Sequence, residues 1–240
     1  MLKITHQPQL IRSWGYKVEE HQVVTEDGYI LTLHRIPPSS GYDLRLRPVF
    51  LGHCLVGSSA IWAFGPPNNS LAYMLADAGY DVWMINIRGN SYSKSHQWLE
   101  PCPTCSQFWS FGFDESARYD YPATIDYILE QTGHTQLYFA GYSMGTTQYL
   151  VLLAQRPEYN EKIKAGFLLG PTALVGNATN PMVKMADQAE LLQSVFQLLG
   201  MDEFMPNYLE VKSQMAHRVC RASYLHALMC RNLWALIVNR

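Results

Sequence analysis

The chain has 240 residues, of which 18 are basic and 20 acidic, and its formal net charge is −2. This length is enough to bury a core, and it favours one domain with an appended region over two independent domains. Because the charge is nearly balanced and the basic residues are scattered, the composition excludes the basic footprint of a nucleic-acid-binding protein.

The predicted elements begin with a β-hairpin at residues 22–36, whose two β-rich runs meet at the turn Glu26-Asp27-Gly28. Further strands are predicted at 49–55, 80–87, 136–142 and 164–169, which makes six strands with the hairpin. Helices are predicted from Ser70 to Ala78, from Pro122 to Gly133, and over 144–155. Strands that alternate with helices of this length favour a mostly parallel sheet that is covered on both faces.

The pattern changes at Pro171, after which the sequence is helical in character and holds six of the chain's ten methionines. Flexible thioether side chains suit an adaptable apolar surface such as a lid, and they suit the ordinary core of a helical insertion equally well. We therefore expect an α/β core over residues 1–170 and a helical cap or lid region over residues 171–240.

The sequence holds five cysteines, which are too few and too unevenly spaced for a disulfide scaffold. Cys102-Pro-Thr-Cys105 is compatible with a redox site or with half of a zinc site. No second CxxC accompanies this motif, and it lies in a proline-rich loop. We therefore expect no metal site.

The first 15 residues, MLKITHQPQLIRSWG, lack the apolar run that a secretory signal needs. No stretch reaches the roughly 18 apolar residues of a membrane span. As written, the sequence predicts a soluble chain with no transmembrane span, which is cytoplasmic if Met1 is the true start. Two glycosylation sequons, at Asn68 and Asn177, would be used only in the secretory route.

The segment Gly141-Tyr142-Ser143-Met144-Gly145 fits the pattern G-x-S-x-G. A predicted strand precedes it and a predicted helix follows it, which is the context that a nucleophile elbow requires. The glycines avoid collisions with neighbouring backbone in a strained turn. The turn places the serine hydroxyl at the start of a helix, whose unpaired N–H groups favour negative charge. Ser143 is therefore the candidate nucleophile of an acyl-transfer reaction.

Acyl transfer also needs N–H donors at the position where the oxyanion forms. One donor is expected from Met144, which directly follows the nucleophile. The other is expected from residues 52–59, the loop that follows the third predicted strand. His53 in this loop could be taken for the catalytic base, but a histidine at this position more often supports the oxyanion loop.

Several segments that contain these motifs follow one another in a recognisable order: SWGYKVEEHQVVTEDGYILTLHRIP, GHCLVGSSAIW, NNSLAYMLADAGYDVWMINIRGNSYSKSH, FWSFGFDESARYDYPATIDYIL and GYSMGTT. Together they resemble the acid lipase family of the α/β-hydrolases, which includes gastric and lysosomal acid lipases. The resemblance covers residues 8–170 and, more loosely, the rest. It implies an α/β-hydrolase fold with about six of the eight strands present and a helical cap.

The same resemblance implies hydrolysis of triacylglycerols or sterol esters at a lipid–water interface. A serine–aspartate–histidine triad would carry this reaction without a cofactor, in a secreted or lysosomal setting. By matched position, it assigns Ser143 as the nucleophile, and Leu55 and Met144 as backbone oxyanion donors. The family often has His before the serine and Gly after the oxyanion-loop histidine, where this chain has Tyr142 and Cys54. Tyr142 leaves the backbone role of the nucleophile intact, whereas Cys54 could alter the loop.

The acid and the base of the triad are expected after two later strands in this fold. Only 97 residues follow Ser143, and they hold one predicted strand, 164–169, which we expect at the edge of the sheet. The histidines and aspartates in this part of the sequence are His217, His226, Asp187 and Asp202. The two histidines are expected in helical, lid-like sequence, and the two aspartates are expected to be surface residues or helix caps rather than members of the triad.

We therefore expect this 240-residue form to hydrolyse esters at a negligible rate by itself, with the activity residing in a longer form. The alternative is a non-catalytic lipid-binding or interaction protein that uses the same fold. Another α/β-hydrolase, such as a peptidase or a thioesterase, agrees with the chemistry but is disfavoured by the motif series. Cys220 and Cys230 resemble a pair of cysteines that is commonly disulfide-bonded in the lid of the family.

Overall fold

The structure, a computed structural model, describes residues 7–38, 43, 45–102 and 104–173 of the chain. The chain divides into two compact units, Met1–Glu100 with Ser110–Ala173, and Pro101–Trp109 with Leu174–Arg240. The predicted boundary between a core at 1–170 and a cap at 171–240 stays a prediction, because the cap lies almost entirely outside the described residues.

The first unit is built on a six-stranded sheet with the strand order β1-β2-β4-β3-β5-β6. The strands are β1 (Glu19–Val24), β2 (Ile30–Ile36), β3 (Val49–Gly52), β4 (Val82–Ile85), β5 (Leu137–Tyr142) and β6 (Ile163–Leu169). β1 pairs with β2, and β2 with β4, in antiparallel orientation, whereas β4, β3, β5 and β6 run parallel. This arrangement confirms the six predicted strands, the mostly parallel sheet, and the edge position of the last strand within the described residues.

Two predicted strands are longer than the strands in the structure. The strand predicted at 49–55 ends at Gly52, and the strand predicted at 80–87 comprises Val82–Ile85. Beyond these ends the chain leaves the sheet ladder, and the Ile87 N–H donates to His53 Nε2 at 3.3 Å instead. The extra apolar residues therefore belong to loops at the carboxyl edge of the sheet.

The helices are α1 (Gln7–Ser13), α2 (Leu71–Asp77), α3 (Phe113–Glu115), α4 (Tyr121–Thr132) and α5 (Met144–Gln155). A π-helical segment, Ser116–Asp120, joins α3 to α4, and 3-10 segments lie at Ser59–Trp62, Pro67–Asn69 and Pro157–Lys162. α2, α4 and α5 confirm the three predicted helices, whereas α1 and the segment 113–120 were not predicted. Gly133 ends α4 with φ +68°, in the left-handed region that glycine adopts without steric cost.

In the described ranges, no helix is both long and apolar enough to cross a bilayer.

Helices cover both faces of the sheet, as the alternation of side chains along a strand requires. On one face, a buried cluster joins strand residues such as Leu51 and Met84 to Tyr73 of α2. On the other face, the Phe50 ring lies 5.2 Å from the Tyr121 ring of α4, measured between centroids. The sheet is therefore a rigid platform that leaves its carboxyl edge to the connecting loops.

A buried ion cluster joins the hairpin turn to the loop after β4 and to the start of α4. Arg88 Nε donates to Asp120 Oδ1 at 2.8 Å, and Arg88 Nη1 donates to Asp27 Oδ2 at 2.6 Å. Ser116 Oγ donates to Asp120 at 2.9 Å, and the Arg88 guanidinium lies 4.1 Å from the centre of the Tyr29 ring. Because a buried charge is costly without partners, this pairing fixes the three segments relative to one another.

Candidate active site

Ser143 lies at the junction of β5 and α5 in an unusual backbone conformation. Its φ is +52° and its ψ is −119°. Among the described residues, Val56 is the one other non-glycine residue with a positive φ. A residue held in such a sparsely populated region costs about 1–3 kcal/mol, and the surrounding structure must hold it there. The strained strand-to-helix turn that the motif predicts is therefore present at Ser143.

The two glycines of the motif lie where a side chain would collide with its surroundings. A Cβ on Gly145 would lie 2.6 Å from Gly52 O and 2.8 Å from His53 O. A Cβ on Gly141 would lie 2.8 Å from ring atoms of Phe139. Glycine at position 145 thus allows the first turn of α5 to approach the backbone at the end of β3.

The backbone of Ser143 is hydrogen-bonded within the described part of the chain, whereas its hydroxyl has no partner there. The Ser143 N–H donates to Leu169 O at 2.9 Å, and the Ser143 carbonyl accepts from Thr146 N–H at 2.8 Å and from Thr146 Oγ1 at 2.6 Å. In the described part of the chain, the Ser143 hydroxyl has no hydrogen-bond partner, and the N–H of Met144 donates to no other group. A hydroxyl and an amide that have no partner among the described residues are therefore adjacent at the N-terminus of α5.

The loop after β3 lies next to this turn because β3 and β5 are neighbouring parallel strands. Gly52, the last residue of β3, is paired with Gly141 of β5. Three residues further on, the Leu55 N–H donates to no group within the described ranges, and the Leu55 side chain is 58% exposed. Both candidate donors thus have amides without a partner among the described residues: Leu55 in the loop after β3, and Met144 at the first position of α5, at the edge of the sheet where Ser143 lies.

The loop after β3 contains a tight turn. The Gly57 N–H donates to Cys54 O at 3.0 Å, and Val56 takes φ +57°, which is an outlier for a β-branched residue. A Cβ on Gly57 would lie 2.9 Å from both Cys54 O and Cys54 Sγ. The thiol of Cys54 is half-buried, and burial raises its pKa. The loop accommodates Cys54 because the residue that it packs against is glycine.

His53 supports this loop from beneath. Its Nδ1 lies 2.8 Å from Cys54 O, and its Nε2 accepts the Ile87 N–H at 3.3 Å. Because a carbonyl only accepts and an amide N–H only donates, this environment assigns a neutral imidazole with its proton on Nδ1. Burial lowers the pKa of His53 to about 4. Since both ring nitrogens are engaged, the side chain supports the loop and is not a free base.

A second support of the loop was missed by the sequence analysis. Asn86 Oδ1 accepts the Ser59 N–H at 3.0 Å, while Asn86 Nδ2 donates to Thr32 O at 3.0 Å. Asn90 Nδ2 also donates to Asn86 Oδ1 at 3.0 Å. The loop between His53 and Ser59 is therefore held at both ends by the segment after β4. An amide residue directly after a buried strand is the signal that could have identified Asn86.

Large apolar side chains are exposed in the loop after β3, at the turn before Ser143, and on β6. They are Leu55, Val56, Ile61, Phe64, Tyr142, Phe167 and Leu169, each between 37% and 78% exposed. Single exposed apolar residues are normal on a protein surface, whereas several in neighbouring loops indicate a surface that contacts something apolar.

Cys102 and Cys105 form a disulfide, so the zinc alternative for this motif does not hold in the oxidised chain. No group of three or more potential metal ligands occurs among the residues that the structure describes. The remaining candidate side chains of the sequence analysis lie outside the described residues. They are Asp187, Asp202, His217, Cys220, His226 and Cys230.

Two family models match the chain. The model for the alpha/beta hydrolase fold matches residues 47–209, and a model for a partial alpha/beta-hydrolase lipase region matches residues 7–65. The first match covers more than half of the chain and includes both the loop after β3 and the turn at Ser143. The chain belongs to the α/β-hydrolase fold family.

The similarity to individual relatives narrows this assignment. The chain is 46% identical to Lipase 3 of Drosophila melanogaster over 222 residues, which are 91% of the chain and 55% of that protein. It is 42% identical over 232 residues to human lysosomal acid lipase/cholesteryl ester hydrolase, covering 95% of the chain and 57% of the relative. Identity to mouse gastric triacylglycerol lipase is 42% over 93% of the chain and 56% of the relative. The resemblance to the acid lipases is confirmed, and the chain spans about half the length of the curated relatives that it matches.

Solved structures agree on the fold. An esterase of Pyrococcus furiosus superposes with a TM-score of 0.54 over 84% of this chain and 66% of its own chain. Its sequence identity is 17%, so the similarity extends to the fold alone. The predicted α/β-hydrolase architecture is thereby confirmed.

Proposed function

We propose that this chain carries the nucleophile and the oxyanion donors of a serine hydrolase that cleaves lipid esters. The observation that carries the proposal is the strained turn at Ser143, where the hydroxyl and the neighbouring helix-terminal amide have no hydrogen-bond partner within the described ranges. A residue held at φ +52° is costly, and such strain is concentrated at functional sites. Glycines at positions 141 and 145 permit this turn, because a Cβ at either position would lie within 3 Å of neighbouring atoms.

In the proposed reaction, Ser143 Oγ attacks the carbonyl carbon of the ester and loses its proton to a general base. The carbonyl oxygen becomes an oxyanion and accepts hydrogen bonds from the N–H groups of Leu55 and Met144. Each such donor is worth roughly 2.7–4 kcal/mol of transition-state stabilisation in a well-studied protease. The alcohol leaves, and water then cleaves the acyl-enzyme by the same route.

The general base is the part of this machinery that the described residues do not supply. Among them, no histidine or carboxylate hydrogen-bonds to the Ser143 hydroxyl, and His53 is committed to its loop. Removing the histidine of a protease triad lowers turnover by about 2 × 10⁶. We therefore propose that the nucleophile of this 240-residue chain reacts slowly unless a base is brought to it.

Two observations support a lipid ester as the substrate. The relatives include one named lysosomal acid lipase/cholesteryl ester hydrolase and one named gastric triacylglycerol lipase. The loops beside Ser143 expose the apolar side chains of Leu55, Val56 and Tyr142, which suit an acyl chain or a lipid–water interface better than a polar substrate. A lysosomal or secreted setting is proposed with it, since the Cys102–Cys105 disulfide suits an oxidising compartment.

A fluorophosphonate probe tests the nucleophile separately from turnover. We expect a single adduct at Ser143 after prolonged incubation, located by peptide mass, and no adduct in Ser143→Ala. Ser91→Ala, which changes an exposed serine elsewhere, should label like the parent chain. Absence of any adduct at Ser143 would overturn the proposal.

Turnover of a short-chain nitrophenyl ester and of a triacylglycerol emulsion tests the role of the base. We expect a negligible rate from the purified chain. Efficient hydrolysis that disappears in Ser143→Ala would support the nucleophile and contradict the expected inactivity. Binding to triacylglycerol emulsions without labelling of Ser143 would favour the alternative, a non-catalytic lipid-binding protein.

A further inference from the structure

The Cys102–Cys105 disulfide has no part in the chemistry proposed for Ser143. It joins Cys102 to Cys105, three positions further along the chain. Thr104, Ser106 and Gln107 are exposed, and both cysteines are partly exposed. A soluble reagent therefore has access to the sulfur atoms in the folded chain.

Hydrogen bonds hold the two cysteines together independently of the sulfur–sulfur bond. The Cys105 N–H donates to Cys102 O at 3.0 Å, and the Phe108 N–H donates to Cys105 O at 2.9 Å. Trp109 Nε1 donates to the same Cys102 carbonyl at 2.8 Å. These bonds involve only backbone and indole groups, so none of them is lost when the disulfide is reduced. The reduced thiols would therefore remain close together.

The short loop also limits what the disulfide contributes to stability. A disulfide stabilises mainly by restricting the unfolded chain, and the restriction grows with the length of the loop that it closes. The two cysteines are three positions apart, which is near the lower limit. Breaking this bond should therefore leave the fold almost as stable as before.

One polar side chain is placed to assist the cleavage. Thr104 Oγ1 lies 3.5 Å from Cys102 Sγ. A hydroxyl at this position is able to donate a hydrogen bond to the sulfur, and such a bond is stronger when the sulfur carries the negative charge of a leaving thiolate. This geometry makes Cys102 the better leaving group and Cys105 the sulfur that is attacked.

We propose that Cys102 and Cys105 form a thiol–disulfide exchange site, which a soluble dithiol reduces and a soluble disulfide oxidises again, both without unfolding of the chain. A thiolate of the dithiol attacks Cys105 Sγ, the bond to Cys102 Sγ breaks, and Cys102 leaves as a thiolate that takes up a proton. The second thiolate of the dithiol then attacks the dithiol's other sulfur, which is bonded to Cys105 Sγ in the mixed disulfide. Cys105 is released as a thiolate and takes up a proton. The cysteine pair gains two electrons and two protons, and the dithiol loses them as it becomes a cyclic disulfide.

The described residues contain a third cysteine that serves as an internal contrast. Cys54 is free, but its thiol is half-buried and burial raises its pKa, so little of it is present as the reactive thiolate. Among the three cysteines that the structure describes, exchange should therefore be confined to Cys102 and Cys105.

The test is carried out on the full folded chain with dithiothreitol as the dithiol. The oxidised chain is incubated without denaturant in about 1 mM dithiothreitol, quenched with acid, alkylated, and mapped by peptide mass. We expect Cys102 and Cys105 to acquire two alkyl groups within about an hour, with an unchanged far-UV circular dichroism spectrum. After transfer to oxidised glutathione, the pair should close again faster in native buffer than in concentrated urea.

Matched variants separate this proposal from a purely structural disulfide. In Thr104→Val, which keeps the shape and removes the hydroxyl, dithiothreitol should reduce the disulfide about three- to tenfold more slowly than in the parent chain. In Thr104→Ser, the rate of reduction should equal that of the parent chain. Cys54→Ser should leave the rate unchanged. A pair that stays oxidised until urea is added, or that closes no faster in native buffer than in urea, would overturn the proposal.

Discussion

The loops after β4 and after β5 leave the same edge of the sheet, and they satisfy their polar groups to different degrees. After β4, the buried side chains of Asn86, Arg88 and Ser93 are all hydrogen-bonded. After β5, the backbone of Ser143 is strained and its hydroxyl has no partner among the described residues. In parallel α/β sheets, ligands bind at the carboxyl ends of the strands. A position at this edge is therefore not enough to define a binding site. The loop after β4 also lies there, but its buried polar side chains are all hydrogen-bonded and hold the fold together.

The largest effect on stability should come from removing the ion pairs of Arg88 in the loop after β4. Arg88→Met keeps the length of the side chain but leaves the buried Asp120 without its ion-pair partner. Breaking a buried pair in this way should lower the free energy of unfolding by about 3–5 kcal/mol, measured by urea denaturation. The exposed pair of Arg45 and Asp43 offers a control, since Arg45→Met should leave the midpoint unchanged. Equal stability of the two variants would show that the ion cluster does not fix the fold.

A pH titration should resolve two buried histidines, His53 and His34, of which His34 lies on β2 with its Nδ1 2.9 Å from Ser59 Oγ. Burial lowers the pKa of His53 to about 4 and that of His34 to about 4, from 6.5. Between pH 6.5 and 4 the unfolded chain binds protons that the folded chain does not, so stability is complete above pH 6.5 and falls as the pH approaches 4. The loss should reach about 2 kcal/mol per histidine at pH 5.

The matched variant for this titration is His53→Gln, whose amide is neutral at every pH. Its free energy of unfolding at neutral pH should fall, because the contacts to Cys54 O and Ile87 N–H are weakened. Its further loss between neutral pH and pH 5 should be smaller than in the parent chain by about 2 kcal/mol. Identical pH profiles would contradict the prediction, because they would mean that the pKa of His53 is the same in the folded chain as in the unfolded chain.

The close approach of α5 to the end of β3 gives a smaller but more specific prediction. Gly145→Ala adds a Cβ within 3 Å of two backbone carbonyl oxygens, Gly52 O and His53 O, which cannot move aside as a flexible side chain would. We expect about 1–3 kcal/mol of destabilisation by urea denaturation, together with slower fluorophosphonate labelling of Ser143. The control is Gly112→Ala, because the nearest atom to its added Cβ is the end of the Glu115 side chain at 3.5 Å. If both variants label at the parental rate, the spacing of α5 and the loop after β3 is unimportant for the nucleophile.

The difference between the two loops was only partly predictable from the sequence. The turn at Ser143 was predicted because its determinants, two glycines around a serine between a strand and a helix, are local. The partners of Arg88 were not, because Asp120 and Asp27 are 32 and 61 positions away and no short pattern encodes such pairing. The strand predicted at 49–55 was too long for a related reason, since His53 bonds to Ile87 through its side chain and leaves the ladder. A short motif can therefore predict local backbone strain. It cannot predict whether the buried polar groups of a loop are hydrogen-bonded, because that depends on contacts between distant segments.

The smallest predicted effect concerns the helix that follows the nucleophile. Gln148 of α5 is fully buried, and neither atom of its amide has a hydrogen-bond partner among the described residues. Gln148→Met keeps the length of the side chain and removes the unsatisfied amide, so it should raise the free energy of unfolding by about 1 kcal/mol in urea denaturation. Gln155→Met, on the exposed side of the same helix, loses a hydrogen bond to Asp114 and should give no gain. A higher free energy of unfolding in Gln148→Met, with an unchanged rate of labelling at Ser143, would show that the unsatisfied amide of Gln148 has no part in the chemistry, in contrast to the strained turn at Ser143. A loss of stability would contradict the prediction, because it would mean that the buried amide stabilises the folded chain.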